Sequence, residues 1–374
     1  MTNMNMKTKY LCTLMLLGTS YSASAALVDL TGAGYVTYGD FNSYSLPIAS
    51  LQNGCYPFNN SCPLYIPGSV GQISDKIVIA SGVPGAGINT SLSGVERAYE
   101  TPNSSSQNFF STAINPDPNG AGEFFGDKAN TWDITLLALR NYLAGESMAL
   151  FFNNNNNNGG NLQSLAAWAQ FEVTDNNGNR LGIFDFTNNG GAYDLISQGG
   201  GGQFLGDPTA YTSTGAGPLI GNNSSTDYVL AGGPICLDTT SAAVPIPVPC
   251  DSPLKDFGPV NHNLGSNAAA YAVVAPELNA LLKNLFTLDD ALLANYTMHV
   301  DLRLGCDPQF GAVNDEICTG ATSGFGKNLN NGYEQLFIGT ARFSDDRPPV
   351  DVPVPAVLFL FGTGLLIMRR FSTK

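Results

Sequence analysis

The sequence predicts a mainly β protein, a jelly-roll-like β-sandwich carrying two or three short helices. Two observations predict it. Charged residues make up only 12% of the 374-residue chain, about half the usual share. Asn, Ser, Thr and Gly supply the polarity in their place, whereas exposed helix faces use Lys and Glu. Several short stretches also alternate apolar and polar residues with the period of two that marks a strand.

Taken in order, residues 73–80 form the first apolar strand candidate and residues 148–152 a short buried run. Residues 165–174 and 180–187 flank Asp175-Asn-Asn-Gly-Asn179, a hairpin turn. In the second arm Leu181, Ile183 and Asp185 share one side and Phe184 and Phe186 the other, as in a sheet covered on both faces. Residues 296–304 alternate: Tyr296, Met298, Val300, Leu302 and Leu304 against Thr297, His299, Asp301 and Arg303. That pattern predicts a half-buried strand with its polar side in water. Residues 333–343 read as the last strand. Helix is expected over 133–143, over 276–286, where Pro276 and Glu277 suit a first turn, and in a short turn over 288–294.

The two ends read as address signals around an ectodomain at 26–346. Residues 1–25 hold the basic Lys7 and Lys9, an uncharged apolar run over 10–21, and the small residues Ala23-Ser24-Ala25. This is the three-part pattern of a secretory signal peptide, with signal peptidase cutting after Ala25. Residues 347–374 hold a proline-rich approach, an uncharged apolar segment over 356–368, and a basic cluster at Arg369 and Arg370. The apolar segment is short for a stable membrane helix, and the arginines would stay cytoplasmic.

This tail resembles the PEP-CTERM sorting domain of Gram-negative bacteria. The matching residues are Val352-Pro353-Val354-Pro355, the run 356–368, and Arg369-Arg370. The name-giving motif is Pro-Glu-Pro, and Val354 stands at its middle position. The resemblance implies export across the inner membrane, transient anchoring by the tail, and cleavage near the motif by an exosortase-like membrane protease. It also implies an organism that makes exopolysaccharide or a biofilm matrix.

Five of the 16 basic residues (Lys7, Lys9, Arg369, Arg370, Lys374) lie in the removable ends, while all 30 acidic ones lie between Ala25 and Pro355, leaving a mature net charge near −19. That sign repels nucleic acid and anionic lipid. Without Cys12, six cysteines remain, in local pairs: Cys55 and Cys62, Cys236 and Cys250, Cys306 and Cys318. An even set in an exported chain reads as disulfides, with nearest-neighbour pairing as the expectation among several. Zinc is disfavoured: no Cys-x-x-Cys occurs, and His262 and His299 are the only histidines.

No motif carries catalysis. There is no Gly-x-Ser-x-Gly elbow, and both histidines read as solvated or hydrogen-bonded. Paired carboxylates for glycoside hydrolysis have candidates in Glu96, Glu100, Glu123, Glu146, Glu172, Glu277, Glu316 and Glu334, which read as exposed acids. Trp132 and Trp168 would serve either the core or a sugar-stacking face. Calcium is the one cofactor suggested, at the oxygen-rich turns holding Asp175, Asn177, Asp185 and Asn189, with a further cluster at Asn314-Asp-Glu316. The EF-hand pattern fails there, with Thr187 at its third position and Ile196 at its twelfth, and the same residues make plain turns. The expectation is a non-catalytic surface or matrix protein associated with exopolysaccharide. A secreted carbohydrate-binding module and a secreted glycoside hydrolase are the rivals.

Overall fold

The computed structural model describes residues 27–344, except 57–58, 74, 83–87, 103–108, 121, 156–164, 166, 187–234, 242, 251, 265–267, 306–327 and 330–333. The expected signal cleavage residues Ala23 and Ala25 lie outside the described residues. So do the sorting residues Pro353, Val354, Pro355, Arg369 and Arg370, together with Cys306, Cys318 and Asn189.

The described chain is mainly β with few helices. In order it runs β1 (Leu27–Asp29), β2 (Val36–Tyr38), β3 (Phe41–Ser45), α1 (Leu46–Gln52), α2 (Val70–Ile73), β4 (Ile77–Ser81), β5 (Tyr99–Glu100), β6 (Phe109–Ser111), β7 (Trp132–Thr135), α3 (Leu136–Leu143) and β8 (Ser147–Asn153). It continues with β9 (Ala167–Thr174), β10 (Arg180–Phe186), β11 (Ile235–Asp238), β12 (Ile246–Pro249), β13 (Tyr271–Val274), α4 (Pro276–Leu285), α5 (Asp290–Leu293), β14 (Thr297–Gly305) and β15 (Gln335–Arg342). Among the described residues no helix is long and apolar enough to cross a membrane.

The large, 8-stranded sheet has the order β2-β3-β13-β8-β15-β4-β5, with β1 added parallel to β15. The small, 5-stranded sheet has the order β10-β9-β14-β6, with β7 also pairing β14. A separate 2-stranded ribbon joins β11 to β12. Disulfides close Cys55 to Cys62 and, at this ribbon, Cys236 to Cys250.

One apolar cluster is drawn from both large sheets. Leu150, Phe152, Tyr271, Val273, Leu336 and Ile338 of the large sheet meet Trp132, Ile134, Phe171, Val173, Met298 and Val300 of the small one. Phe41 of β3 lies 5.1 Å from Phe171 of β9 between ring centroids, and Tyr38 lies 5.7 Å from Phe186. The intervening residues of the large sheet, among them Ala149, Phe151, Ala272, Val274 and Phe337, form a second cluster on its other face with Val28, Leu64, Ile66 and Ile73. The large sheet is therefore apolar on both sides, and its strands read as continuous apolar runs.

The hairpin expected at 175–179 is present. β9 and β10 pair antiparallel, and Asp175 accepts from the backbone N–H groups of Asn177 and Asn179 at 2.7 and 2.9 Å. The expectation of a helix from residue 133 is corrected: 132–135 form β7, and the helix begins one residue later at Leu136. The Thr135 hydroxyl, 3.3 Å from Ala138 N, caps that helix and marks its true start. α4 and α5 match the remaining helical expectations, with Pro276 opening the first and Asp289 capping the second through Leu292 N.

β14 carries the largest correction. Its two faces divide as the alternation predicts, but the polar one is not in water. Thr297, His299, Asp301 and Arg303 are all at most 3% exposed. Residues 112–120 and 122–131 roof that face, bonding to it at several points. The Thr112 hydroxyl donates to Asp301 at 3.1 Å, Thr297 donates to Phe125 O at 2.9 Å, and Lys128 reaches Glu172 of β9 at 2.9 Å. Gly126 makes the close approach possible. Its φ is +84°, and a Cβ there would stand 2.5 Å from the Thr297 hydroxyl.

Candidate functional site

The register of the small sheet stacks polar residues on its roofed face. His299 of β14 faces Asp133 of β7 on one side and Glu172 of β9 on the other. Thr297 sits between Thr135 and Thr174, and Asp301 faces Gln170. A buried polar face is tolerated only where its groups find partners, and most do. His299 Nδ1 lies 2.8 Å from Asp133 Oδ1, and its Nε2 lies 2.9 Å from the Thr174 hydroxyl. Arg303 donates to Asp301 Oδ2 at 2.6 Å and also to the Ser111 hydroxyl. Glu172 is held between Lys128 and Arg180 at 2.9 and 3.0 Å.

Beside this network four carboxylates converge. Glu96 reaches it from the residue after Val95, which bridges to Ile134 of β7. Asp117 and Asp127 lie in the roofing segment, and Asp133 in β7. Each has one oxygen fixed by backbone donors. Glu96 Oε2 accepts from Asp133 N at 2.6 Å, and Asp117 Oδ1 accepts from Asn119 N and Gly120 N at 2.8 and 2.9 Å. Asp127 Oδ2 accepts from Gly122 N and Glu123 N, both at 2.8 Å. Asp133 Oδ2 accepts from Lys128 N at 2.5 Å, and its Oδ1 from Thr131 at 2.7 Å. The remaining oxygens Glu96 Oε1, Asp117 Oδ2 and Asp127 Oδ1 are shielded from solvent and accept from no N–H or hydroxyl donor, and the Glu96 and Asp117 carboxyls lie in hydrogen-bond contact with each other.

Oxygens of Glu96, Asp127 and Asp133 lie within 4.8 Å of one another. Glu96 and Asp133 are both 0% exposed. Burial pushes the Glu96 carboxyl up to about 12, with the Asp133 and Asp117 carboxylates adding to it. Burial also lifts Asp127 to about 6, against its backbone hydrogen bonds and with help from Asp133 and Asp117. Among the described residues no lysine or arginine is ion-paired with Glu96, Asp117 or Asp127.

Of the sequence-derived calcium candidates, Asp175, Asn177 and Asp185 lie elsewhere and do not come together, while Asn189 and 314–316 lie outside the described residues. Asp175 is spent on its own turn: Oδ1 accepts from Asn177 N and Asn179 N, and Oδ2 from the Asn179 amide at 2.9 Å. Asn177 donates within that same exposed turn. Asp185, on the body of β10, accepts from Gln170 at 2.6 Å.

The expectation of exposed glutamates is corrected for Glu96, Glu172 and Glu334, all buried; Glu316 lies outside the described residues. Both tryptophans are buried, so neither ring faces solvent. Neither histidine is solvated. His262 lies 2.8 Å from the Ser45 hydroxyl, stacks on Tyr271 at 5.1 Å, and is pushed down to about 4 by burial. Ser45 also caps α1 by accepting from Ile48 N at 3.2 Å, so the Ser–His pair serves the packing of β3 against β13.

The convergence of Glu96, Asp117, Asp127 and Asp133 was missed by sequence reasoning. Its one visible signal is the stretch 117–127, with three acids, an Asn and three glycines, among them Gly126. That composition matches the hairpin turn at 175–179 and does not by itself separate a site from a turn.

These features define a mainly β, disulfide-bearing domain whose smaller sheet carries a roofed polar face with a buried acidic centre. The chain belongs to the DUF8239 family, described as a domain of unknown function, whose model matches residues 27–303. The match ends within β14, yet β15 at Gln335–Arg342 pairs with β8, β4 and β1 of the large sheet, so the folded unit reaches beyond it. No curated protein and no solved structure matches the chain.

Proposed function

We propose that this chain is an exported, non-catalytic surface or matrix protein of a Gram-negative bacterium, with a two-sheet sandwich as its ectodomain. The observation that carries the reading is the pair of short-range disulfides, Cys55–Cys62 and Cys236–Cys250, in a β-rich domain. Bonds of that kind persist in oxidising, extracytoplasmic compartments. The signal peptide cut after Ala25 and the PEP-CTERM-like tail at Pro353-Val354-Pro355 and Arg369-Arg370 supply the route, through signal peptidase and an exosortase-like protease. Exopolysaccharide is the surrounding with which such a protein would associate.

The sandwich reading is supported by the apolar cluster shared between the two sheets. Within it, the parallel pairings β1/β15 and β4/β5 depart from the antiparallel pattern of a jelly roll. A structural role is supported by the engagement of both histidines in interior hydrogen bonds.

Intact-mass measurement on protein recovered from the native host tests the reading. Loss of residues 1–25 and of the tail beyond Pro355 is expected. Recovery of chain with Lys374 still attached overturns the sorting proposal, and retention of Lys7 and Lys9 overturns export by cleavage.

A further inference from the structure

We propose that Glu96, Asp117, Asp127 and Asp133 form a calcium-binding site, walled on its outer side by residues 117–120 and 122–127. The arrangement differs from a chance cluster of surface acids in one respect. Glu96 is 0% exposed, its Oε1 accepts from no N–H or hydroxyl donor, and its carboxyl lies in hydrogen-bond contact with the Asp117 carboxyl, so two acids touch with no cation between them. A buried carboxylate oxygen that meets no donor and stands against another acid is among the least favourable groups a protein interior holds. Asp117 Oδ2 and Asp127 Oδ1 likewise meet no donor.

Geometry names the ligand class. Each of the three carboxylates has its other oxygen pinned by backbone N–H groups: Asp133 N for Glu96, Asn119 N and Gly120 N for Asp117, Gly122 N and Glu123 N for Asp127. Outer hydrogen bonds of this kind orient ligands around a metal. Oxygens of Glu96, Asp127 and Asp133 lie within 4.8 Å of one another, the spacing of ligands around one ion with bonds of about 2.3–2.6 Å. The donors are all oxygen, which selects a hard cation over zinc or copper. His299 is held between Asp133 and Thr174 and acts one layer out, fixing the Asp133 carboxylate.

Calcium is favoured over magnesium. Magnesium keeps several of its waters and uses one or two carboxylates, whereas the Glu96 side of this centre is closed to solvent. Calcium accepts many anionic oxygens in irregular geometry, with water completing the half-exposed side at Asp117 and Asp127. An ion would also supply the positive charge that, among the described residues, no lysine or arginine brings to Glu96, Asp117 and Asp127 by ion pairing.

The test uses the full chain, stripped with chelator and then titrated with calcium chloride by isothermal titration calorimetry. One calcium per chain is expected. At calcium about 100 times its dissociation constant the melting temperature should rise by about 5 °C. Magnesium at equal ionic strength should give less than half of that rise. Glu96→Gln and Asp127→Asn should each weaken calcium binding at least about tenfold, with melting in chelator unchanged or higher. Both variants keep the oxygen that accepts from backbone N–H, so the fold should survive. Asp117→Asn, on the half-exposed edge, provides a third variant should either misfold. Asp175→Asn should leave binding unchanged. Absence of calcium binding by the folded wild-type chain, equal responses to both ions, or unchanged affinity in these variants overturns the proposal.

Discussion

The outer faces of the two large sheets are both buried, but by opposite chemistry. On the large sheet, Phe151 and Phe337 lie 5.6 Å apart between centroids within an apolar cluster completed by Val28, Leu64, Ile66 and Ile73. On the small sheet, Thr297, His299, Asp301 and Arg303 lie under residues 112–120 and 122–131 in a hydrogen-bonded network. Apolar burial is nondirectional and tolerates approximate partners, whereas polar burial needs a partner for every group. The first face therefore reveals little beyond stability. On the second, the oxygens of Glu96, Asp117 and Asp127 that meet no N–H or hydroxyl donor are what motivates the proposed calcium site.

The largest test of this contrast pairs one variant from each face. Phe151→Ala should lose about 3–5 kcal/mol by cavity formation, and adding Phe337→Ala should lose more. Arg303→Met should lose a comparable 3–5 kcal/mol, because it leaves Asp301 buried without its cation. Adding Asp301→Leu should then recover most of that loss, since an apolar pair replaces a buried ion pair at little net cost. Denaturant unfolding of the four proteins reads both results, and a further loss in the second double variant would mean that the polar face is not governed by pairing.

His262 sharpens the comparison by pH. It sits against the shared core with a folded-state pKa pushed down to about 4 by burial, below the ordinary value of 6.5. The unfolded chain thus binds the proton first as the solution is acidified. Stability should be full above about pH 6.5 and fall as pH drops toward 4, by up to about 3 kcal/mol. His262→Gln keeps an acceptor for Ser45 but does not titrate, so its unfolding midpoint should show a shallower dependence between pH 6.5 and 4. An unchanged slope would assign the acid sensitivity to other groups.

Detaching the roof should have a smaller effect. Gly126→Ala puts a side chain at φ +84° and against the Thr297 hydroxyl. A loss of about 1–3 kcal/mol is expected, with faster hydrogen exchange across 112–131 and on β14 but not on β8 or β15. The smallest effect belongs to Asp175→Asn. It removes one charge from an exposed turn and should change stability by less than about 1 kcal/mol.

What could be read from the sequence follows from the range of each interaction. The hairpin at Asp175–Asn179 and the N-terminal turns of α4 and α5 were legible because turn and cap preferences act within a few residues. Residue 133 misled the helix assignment because Asp133 and Leu136 both suit a helical spacing, while pairing of β7 with β14, over 160 positions away in register with Val300 and Thr297, decides for a strand. Glu334 shows the same limit: an unremarkable acid in sequence, it is buried at the head of β15 with its carboxyl pushed up to about 8 by burial.

By itself, then, the sequence determined the β character, the two faces of β14 and the local cysteine pairs Cys55–Cys62 and Cys236–Cys250. Those features rest on period, spacing and composition over short stretches. The tertiary structure alone decided that the polar side of β14 is roofed, and that residues 96, 117, 127 and 133 meet. Burial of a residue depends on which remote segment lies above it, and a local pattern carries no record of that segment. The stretches 117–127 and 175–179 share their Asp, Asn and Gly, yet the first is pressed against β7 and β14 with carboxylate oxygens turned inward, while the second closes on itself in water.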